Sequence, residues 1–580
     1  MTSPQEGSSG LHIGLKLAFF LIIGLIILLK YSGTPDQYSV SYFAENNPDL
    51  FAGSLYYDNS FFSKSSIFFY ANEILRAEVN DVLGLFTNAL YAVLAFLVTY
   101  LICRDFLDAR NTAIIIPALG AMAFISRKVP VDTWNGLISI QPATQTALAI
   151  PMAFACLYLI MKARHLQAGA LIALTILIHP LADIILVPVM AMYVLLRHRA
   201  EARAWAGVAI PVLVVAAKAV FLKISLSTGL PAPDPLAVQE GILEIGGQDA
   251  LFLAQAPLSL VLLAGAILFS FYFSLRVLTG EIAALMLSLT IAATCTVLGT
   301  ILYVHVITDW IVIPEILLLG PVRSLYLFNT VLYLCVFVWT LKSSLAPIEK
   351  VAVILAVILY HGESLNGLLY PALVLVAGFG VRLIPKLSDW AAKTFSTAVL
   401  LVMALPLIVL LQHMNGGVFF TQYNQAGWDH LARWTITLPD DDRAFEAFAR
   451  LQGTTERAET LHLARTSRGD IQQDHLWSLV SHQAPFLSDK HHFYFRPDLR
   501  PEHDAREAIV QQITTALNAD QPLPAAGLDF LAERGAQMVA PLSDKQVTAA
   551  RGQLADLIAK DGVDIRALGD GYTHFVFKRP

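Results

Sequence analysis

Charge is what this sequence has least of. Asp, Glu, Lys and Arg make up 14% of its 580 residues, against about 25% in soluble domains, which excludes an ordinary soluble enzyme. Cysteine is nearly absent as well. Cys103, Cys156, Cys295 and Cys335 all lie in apolar runs, so neither a disulfide framework nor a cysteine-based metal site is expected. The net charge is −6 and no polybasic run occurs, which argues against nucleic acid as a partner. There is no Walker motif, GxSxG or HExxH, which argues against a nucleotide-driven pump, a serine hydrolase of the usual kind or a zinc protease. No internal repeat or low-complexity tract is present.

Apolar residues fill the space that charge leaves: 56% of the chain is hydrophobic and the mean hydropathy is +0.59. The two parts of the chain differ. Residues 413–580 carry 39 charged residues in 168 positions, whereas the first 412 residues carry 45. A long membrane part, residues 1–412, followed by a water-exposed part, residues 413–580, is the expected domain organisation. The fold class expected is a polytopic α-helical membrane protein with a C-terminal α/β domain.

Residues 11–30 form an apolar run long enough to cross a hydrocarbon core about 30 Å thick. The run reaches Lys30 and Tyr31 without a small-residue cleavage site, so it reads as an uncleaved first span and not a signal peptide. Further spans are expected at 82–103, 112–126, 144–161, 168–179, 182–196, 205–222, 257–275, 282–304, 324–341, 351–361, 367–381 and 394–412, thirteen in all. With the N-terminus inside, the inner loops are 104–111, 162–167, 197–204, 276–281, 342–350 and 382–393. They hold 13 basic residues in 49 positions, as the positive-inside rule requires. The segment 168–196 admits one kinked helix or a hairpin turned at His179-Pro180. Charge favours the hairpin, because one helix would place Arg199, Arg203, Lys342 and Lys386 outside. An odd span count puts the loop 31–81 and the tail 413–580 on the same outer face of a multi-pass membrane protein, with the bacterial inner membrane the expected setting.

Within the first outer loop, Ile67, Phe68, Tyr70, Ala71, Ile74 and Leu75 recur at helical spacing, as in a helix lying in the membrane interface. In the tail, LDFLAERGAQMVA reads as a helix entering a strand, and DKQVTAARGQLADLIAKD as a second helix. RAFEAFARLQG reads as an amphipathic helix, and GYTHFVFKRP as a closing strand of alternating faces.

Polar groups that the bilayer would otherwise reject are the first candidates for chemistry. Asp36, Asp49 and Asp58 of the first outer loop are candidate general bases for an acceptor hydroxyl; Pro-Asp and Asp-Asn are also common turn dipeptides. Arg323 begins a span on the outer side, where a guanidinium can grip a phosphate in bidentate fashion; snorkelling is its bland alternative. Arg127 and Lys128 suit the same task or serve as boundary anchors. Lys218 lies in the outer half of the seventh span and His179 at the hairpin tip, a pocket position or simply a polar turn. Asp440-Asp441-Asp442 and His491-His492 lack ligand spacing with further partners, so no metal site is assigned.

The layout resembles the GT-C superfamily of integral-membrane glycosyltransferases. Asn-Pro-Asp-Leu-Phe-Ala-Gly-Ser-Leu-Tyr-Tyr-Asp (47–58) looks like the first-loop pattern of poorly characterised bacterial members. Ile-His-Pro (178–180), Pro-Val-Arg-Ser (321–324) and the tail from Trp428 to Gly-Tyr-Thr-His-Phe-Val-Phe also look like features of that group. Paired acids directly after the first span, present in better-known members, are missing here. The resemblance implies transfer of a sugar from a polyprenyl-phosphate carrier to a lipid, glycan or protein on the outer face. An Asp would activate the acceptor, Asp36 first and then Asp58 and Asp49, and cationic residues would hold the carrier phosphate. No cofactor is assigned and a divalent cation is left open. A transporter or flippase of lipid-linked glycans, a glycan polymerase or ligase, and a non-catalytic assembly protein of the envelope are the competing readings.

Overall fold

The structure is a computed structural model. It describes residues 54–55, 67, 82–108, 145–179, 184–226, 235–236, 239, 257–312, 325–359, 365–394, 396, 442–452, 458–465, 470–473, 477–481, 483–487, 499–569 and 571–578. The chain divides into two compact units, Met1–Tyr31 with Val82–Trp428, and Ser32–Asp81 with Asp429–Pro580.

The helical unit follows the apolar runs closely. Its helices include α1 (Val82–Phe106), α2 (Gln145–Met161), α3 (His165–Ile178), α4 (Leu186–Arg197), α5 (Ala202–Leu226), α6 (Pro257–Arg276), α7 (Gly280–His305), α8 (Leu325–Lys342), α9 (Pro347–Leu359) and α10 (Leu365–Gly380). Ser and Thr inside them are satisfied locally. Thr99, Thr175, Ser288, Thr290 and Thr330 each donate to the carbonyl four residues back, which an apolar surrounding demands of any hydroxyl. Ser270 and Thr290 also bond across helices at 2.7 Å. Leu213, Val220, Phe221, Val261, Leu268, Leu275 and Leu298 are exposed. In a soluble protein so much exposed apolar surface would be a liability, whereas lipid tolerates it.

Thirteen spans are not supported. Among the described residues three helices are long and apolar enough to cross a membrane, Ala202–Phe221, Gly280–His305 and Leu325–Lys342. A fourth is added if the bent pair Leu369–Leu383 and Pro385–Ala391 forms one span. Helices α3, α4 and α9 have 14, 12 and 13 residues, or about 18–21 Å at 1.5 Å per residue, well short of the hydrocarbon core. Proline is the physical reason in the first two cases. Pro180 follows the end of α3 and Pro188 occupies the first turn of α4, so hydrogen-bonded helix stops before the apolar composition does. The expected spans 11–30 and 112–126, the span 394–412 apart from Thr394 and Ser396, and the interface helix apart from Ile67 lie outside the described residues.

The hairpin over 168–196 does form. His165, at the start of α3, lies beside Tyr193 and His198 at the end of α4, so the two run antiparallel. Contacts also gather the six basic loops at one end of this unit. Asp105 takes Arg104 at 2.6 Å and Lys162 at 2.9 Å, and Lys342 donates to the Leu107 carbonyl at 2.8 Å. Arg197 pairs with Glu281 at 2.5 Å and Arg382 with Glu349 at 2.6 Å. With the His165–His198 contact, every one of these loops touches another.

The second unit holds a five-stranded sheet of order β2-β1-β3-β5-β4, with β1 (Thr460–Arg465), β2 (Ile471–Gln473), β3 (Gln537–Pro541), β4 (Val563–Gly569) and β5 (Tyr572–Phe577). β1 and β3 are parallel and the other pairs antiparallel. The helix expected in LDFLAERG is Ala525–Arg534, closed by Gly535 at φ 58°, and it leads into β3. The helix expected in DKQVTAARGQLADLIAKD starts on a Ser543–Gln546 capping box and breaks at Leu554 into two pieces. RAFEAFARLQG forms Asp442–Ala449. The closing strand departs from expectation. β5 is buried at all six positions and shows no solvent face, because it is central and apolar clusters cover both its sides. Phe575 and Phe577 join Val510, Ile513 and Leu531 in one cluster, while Tyr572 joins Phe448 and Trp477 in the other.

Candidate functional site

Two sequence-nominated residues lie among the described ones, and the structure brings them to one end of one helix pair. Helices α3 and α5 cross at glycines: a Cβ on Gly169 would lie 2.0 Å from the Gly207 carbonyl oxygen, and one on Gly207 would lie 2.4 Å from that of His165. Only glycine permits this approach, the small-residue packing used by membrane helices. The two helices run parallel from this crossing, so Lys218 of α5 reaches the last turn of α3. Its Nζ donates to the Ile176 carbonyl at 2.9 Å. His179 caps the same helix, its backbone N–H donating to Thr175 O at 2.7 Å, and its side chain is buried.

The last carbonyls of a helix lack intrahelical partners and carry partial negative charge. An ammonium on the Ile176 carbonyl therefore serves the helix end, which is the structural role of Lys218. An ammonium has three N–H donors, and the carbonyl engages one of them. The pair thus keeps a cation and an imidazole together at the end of the unit opposite the basic loops. Tyr303, near the far end of α7, donates to Gln239 Oε1 at 3.2 Å. Asp36, Asp49, Asp58, Arg127, Lys128 and Arg323 lie outside the described residues.

The second unit supplies a link that sequence reasoning missed. The backbone N–H of Leu55, between the expected first and second spans, donates to Glu459 Oε1 at 2.8 Å. Glu459 also pairs with Arg506 at 2.8 Å. Arg506 in turn meets Glu502 at 2.9 Å, and Arg534 closes on Glu502 at 2.7 Å. Hydrogen bonds from Arg534 above all, together with Arg506, hold the Glu502 carboxyl at a pKa of about 2 against the opposing effect of burial. The network presents Glu459 as a fixed acceptor for Leu55.

No protein-family model, curated protein or solved structure matches this chain. The site residues accordingly rest on the chemistry of the chain itself. Among the described residues one further group has the composition of a metal site: His165, His198 and Glu201, whose ligand atoms all lie within 4.8 Å of one another. The sequence reading assigned no metal. His198-Arg-Ala-Glu201 offered a weak local signal, but His165 stands 33 positions upstream, and only the antiparallel pairing of α3 and α4 brings it there.

Proposed function

We propose that the chain is an integral-membrane glycosyltransferase of GT-C type, moving a sugar from a polyprenyl-phosphate carrier to a lipid, glycan or protein acceptor. The observation that supports this most is the Leu55–Glu459 hydrogen bond. A first-loop residue and a tail residue that touch must share one side of the membrane. The resembling enzymes need that arrangement, which requires an even number of crossings between the two segments.

In this reading an acceptor hydroxyl attacks the anomeric carbon, the bond from that carbon to the carrier phosphate oxygen breaks, and the stereochemistry inverts. The hydroxyl proton passes to a first-loop carboxylate, Asp36 by preference, then Asp58, then Asp49. Asp36 is nearest the first span and follows Thr34-Pro35, where proline stiffens the backbone on both sides. Arg323, with Arg127 and Lys128, holds the carrier phosphate. Lys218 and His179 furnish a further cation and imidazole, consistent with a pocket that receives a phosphate.

The test is turnover of a labelled polyprenyl-phosphate sugar by the purified chain. Asp36→Asn is nearly isosteric, so stability should hold while transfer falls about 10²–10⁴-fold, the usual contribution of a general base. Loss of activity in Asp58→Asn with wild-type turnover in Asp36→Asn would move the base to Asp58. Full activity in all three Asn variants would reject acid–base catalysis from this loop.

A further inference from the structure

We propose that His165, His198 and Glu201 bind one divalent transition metal of the zinc class at the basic-loop end of the helical unit. This goes beyond the transfer reading and does not depend on it. His165 opens helix α3 and is 4% exposed, yet neither of its ring nitrogens has a hydrogen-bond partner. An imidazole always carries donor or acceptor capacity on both nitrogens, and a folded chain rarely buries such a group unpaired. A metal would satisfy it.

The neighbours of His165 fit that task. The ring of His198 stands edge-on to it with centroids 4.5 Å apart. Nδ1 of His198 lies 2.8 Å from Glu201 Oε1, so two ligand atoms already stand side by side where a cation would take the place of the hydrogen between them. Two imidazoles and a carboxylate suit zinc and its borderline neighbours, whereas calcium and magnesium call for an oxygen shell. Donors about 2.0–2.1 Å from a tetrahedral metal stand about 3.3 Å apart. The ligand atoms already lie within 4.8 Å of one another, and Glu201, whose side chain is 56% exposed, has room to adjust its carboxylate to the metal.

The surroundings hold the rings in place. Tyr193 packs beside both histidines at 6.3 and 5.8 Å between centroids. Its hydroxyl donates to Glu281, which is also held by Arg197. Trp205 Nε1 donates to the Arg199 carbonyl at 3.0 Å and fixes the connection from α4 to α5. A bound metal would therefore tie the start of α3, the end of α4 and the approach to α5. Lying at the opposite end of α3 from Lys218, it would act as a clamp on the helices and not as a reaction centre.

The experiment uses full-length untagged protein in detergent, stripped with chelator, dialysed and titrated with Zn²⁺ alone. About one zinc per chain should bind, with X-ray absorption showing two imidazole ligands. His165→Gln and His198→Gln should weaken affinity more than 100-fold and Glu201→Gln at least 10-fold, since even groups one step removed from a metal are worth about 10–100-fold. Glu201 is exposed, so Glu201→Gln should unfold at the wild-type temperature without metal but lose the zinc-dependent rise that wild type shows. Absence of tight zinc in the wild type, wild-type affinity in the three variants, or a spectrum without imidazole would each overturn the proposal. None of these readouts involves sugar transfer, so the outcome leaves that reading untouched.

Discussion

His574 should make the C-terminal sheet sensitive to acid. It lies on β5, flanked by Val539 of β3 and Arg566 of β4, is 2% exposed, and bonds through Nε2 to Gln537 Oε1 at 2.8 Å. Burial first, and the Arg566 charge second, lower its pKa to about 4. The native state thus keeps this imidazole neutral where an unfolded chain, at about 6.5, would protonate it. The folded pKa is depressed, so the unfolded state binds more protons between those values and stability rises with pH there. His574 therefore costs nothing above about pH 6.5, and stability drains away as pH falls towards 4. Worked through that window, the sheet loses about 2 kcal/mol between pH 7 and pH 5, or about 20-fold in its opening equilibrium. Glu502, at about 2, adds its own loss only below the ordinary carboxylate range, and His462 and His503 are buried in the same unit, so the His574 share is the part of the slope that its removal takes away. Hydrogen exchange of the full chain, read on peptides covering 537–541 and 572–577 and corrected for intrinsic rates, measures this directly. His574→Gln keeps an amide donor for Gln537 and removes this titration, so its change in protection between pH 7 and pH 5 should be about 20-fold smaller. Equal protection at both pH values in the wild type, or the same slope in His574→Gln, would refute the reasoning.

The remaining predictions concern the helical unit and the carrier. Gly169→Ala drives a methyl group to 2.0 Å from the Gly207 carbonyl oxygen, a backbone clash no rotamer relieves. It should cost about 1–3 kcal/mol, as overpacking does, and a thermal midpoint equal to wild type would discount the tight crossing. Cysteines placed at Ser467 and Ser343 should differ in intact cells, only the first reacting with an impermeant label; equal labelling would remove the shared outer face. Arg323→Lys retains charge but not the guanidinium fork, so affinity for a phosphate-headed lipid should drop while the protein stays folded. Unchanged affinity in both the Lys and Ala variants would return Arg323 to the role of boundary anchor.

Local chemistry made several elements legible from sequence alone. Apolar composition located the helices from α1 to α10, since a lipid-facing helix must be apolar wherever it meets lipid. Pro180 and the distribution of Arg and Lys indicated the turn between α3 and α4. Gly535 marked a helix end, where a left-handed residue is needed. Composition did not set helix length, because α4 begins only at Leu186, with Pro188 in its first turn, although the apolar run starts earlier.

Tertiary structure alone decided the rest. β5 carries a sequence that suits a half-exposed strand, and its burial on both faces depends on Phe448 and Trp477 arriving from distant segments. Lys218 looked like a free-standing intramembrane cation, but its partner is a carbonyl 42 residues away. The Leu55–Glu459 bond spans 404 residues and the His165–His198 contact spans two helices. Sequence records which groups a chain owns and the local periodicity that hides or exposes them. Which distant groups meet is fixed by packing, where close approaches such as Gly169 on Gly207 set the register of whole helices and carry every side chain beyond them into place.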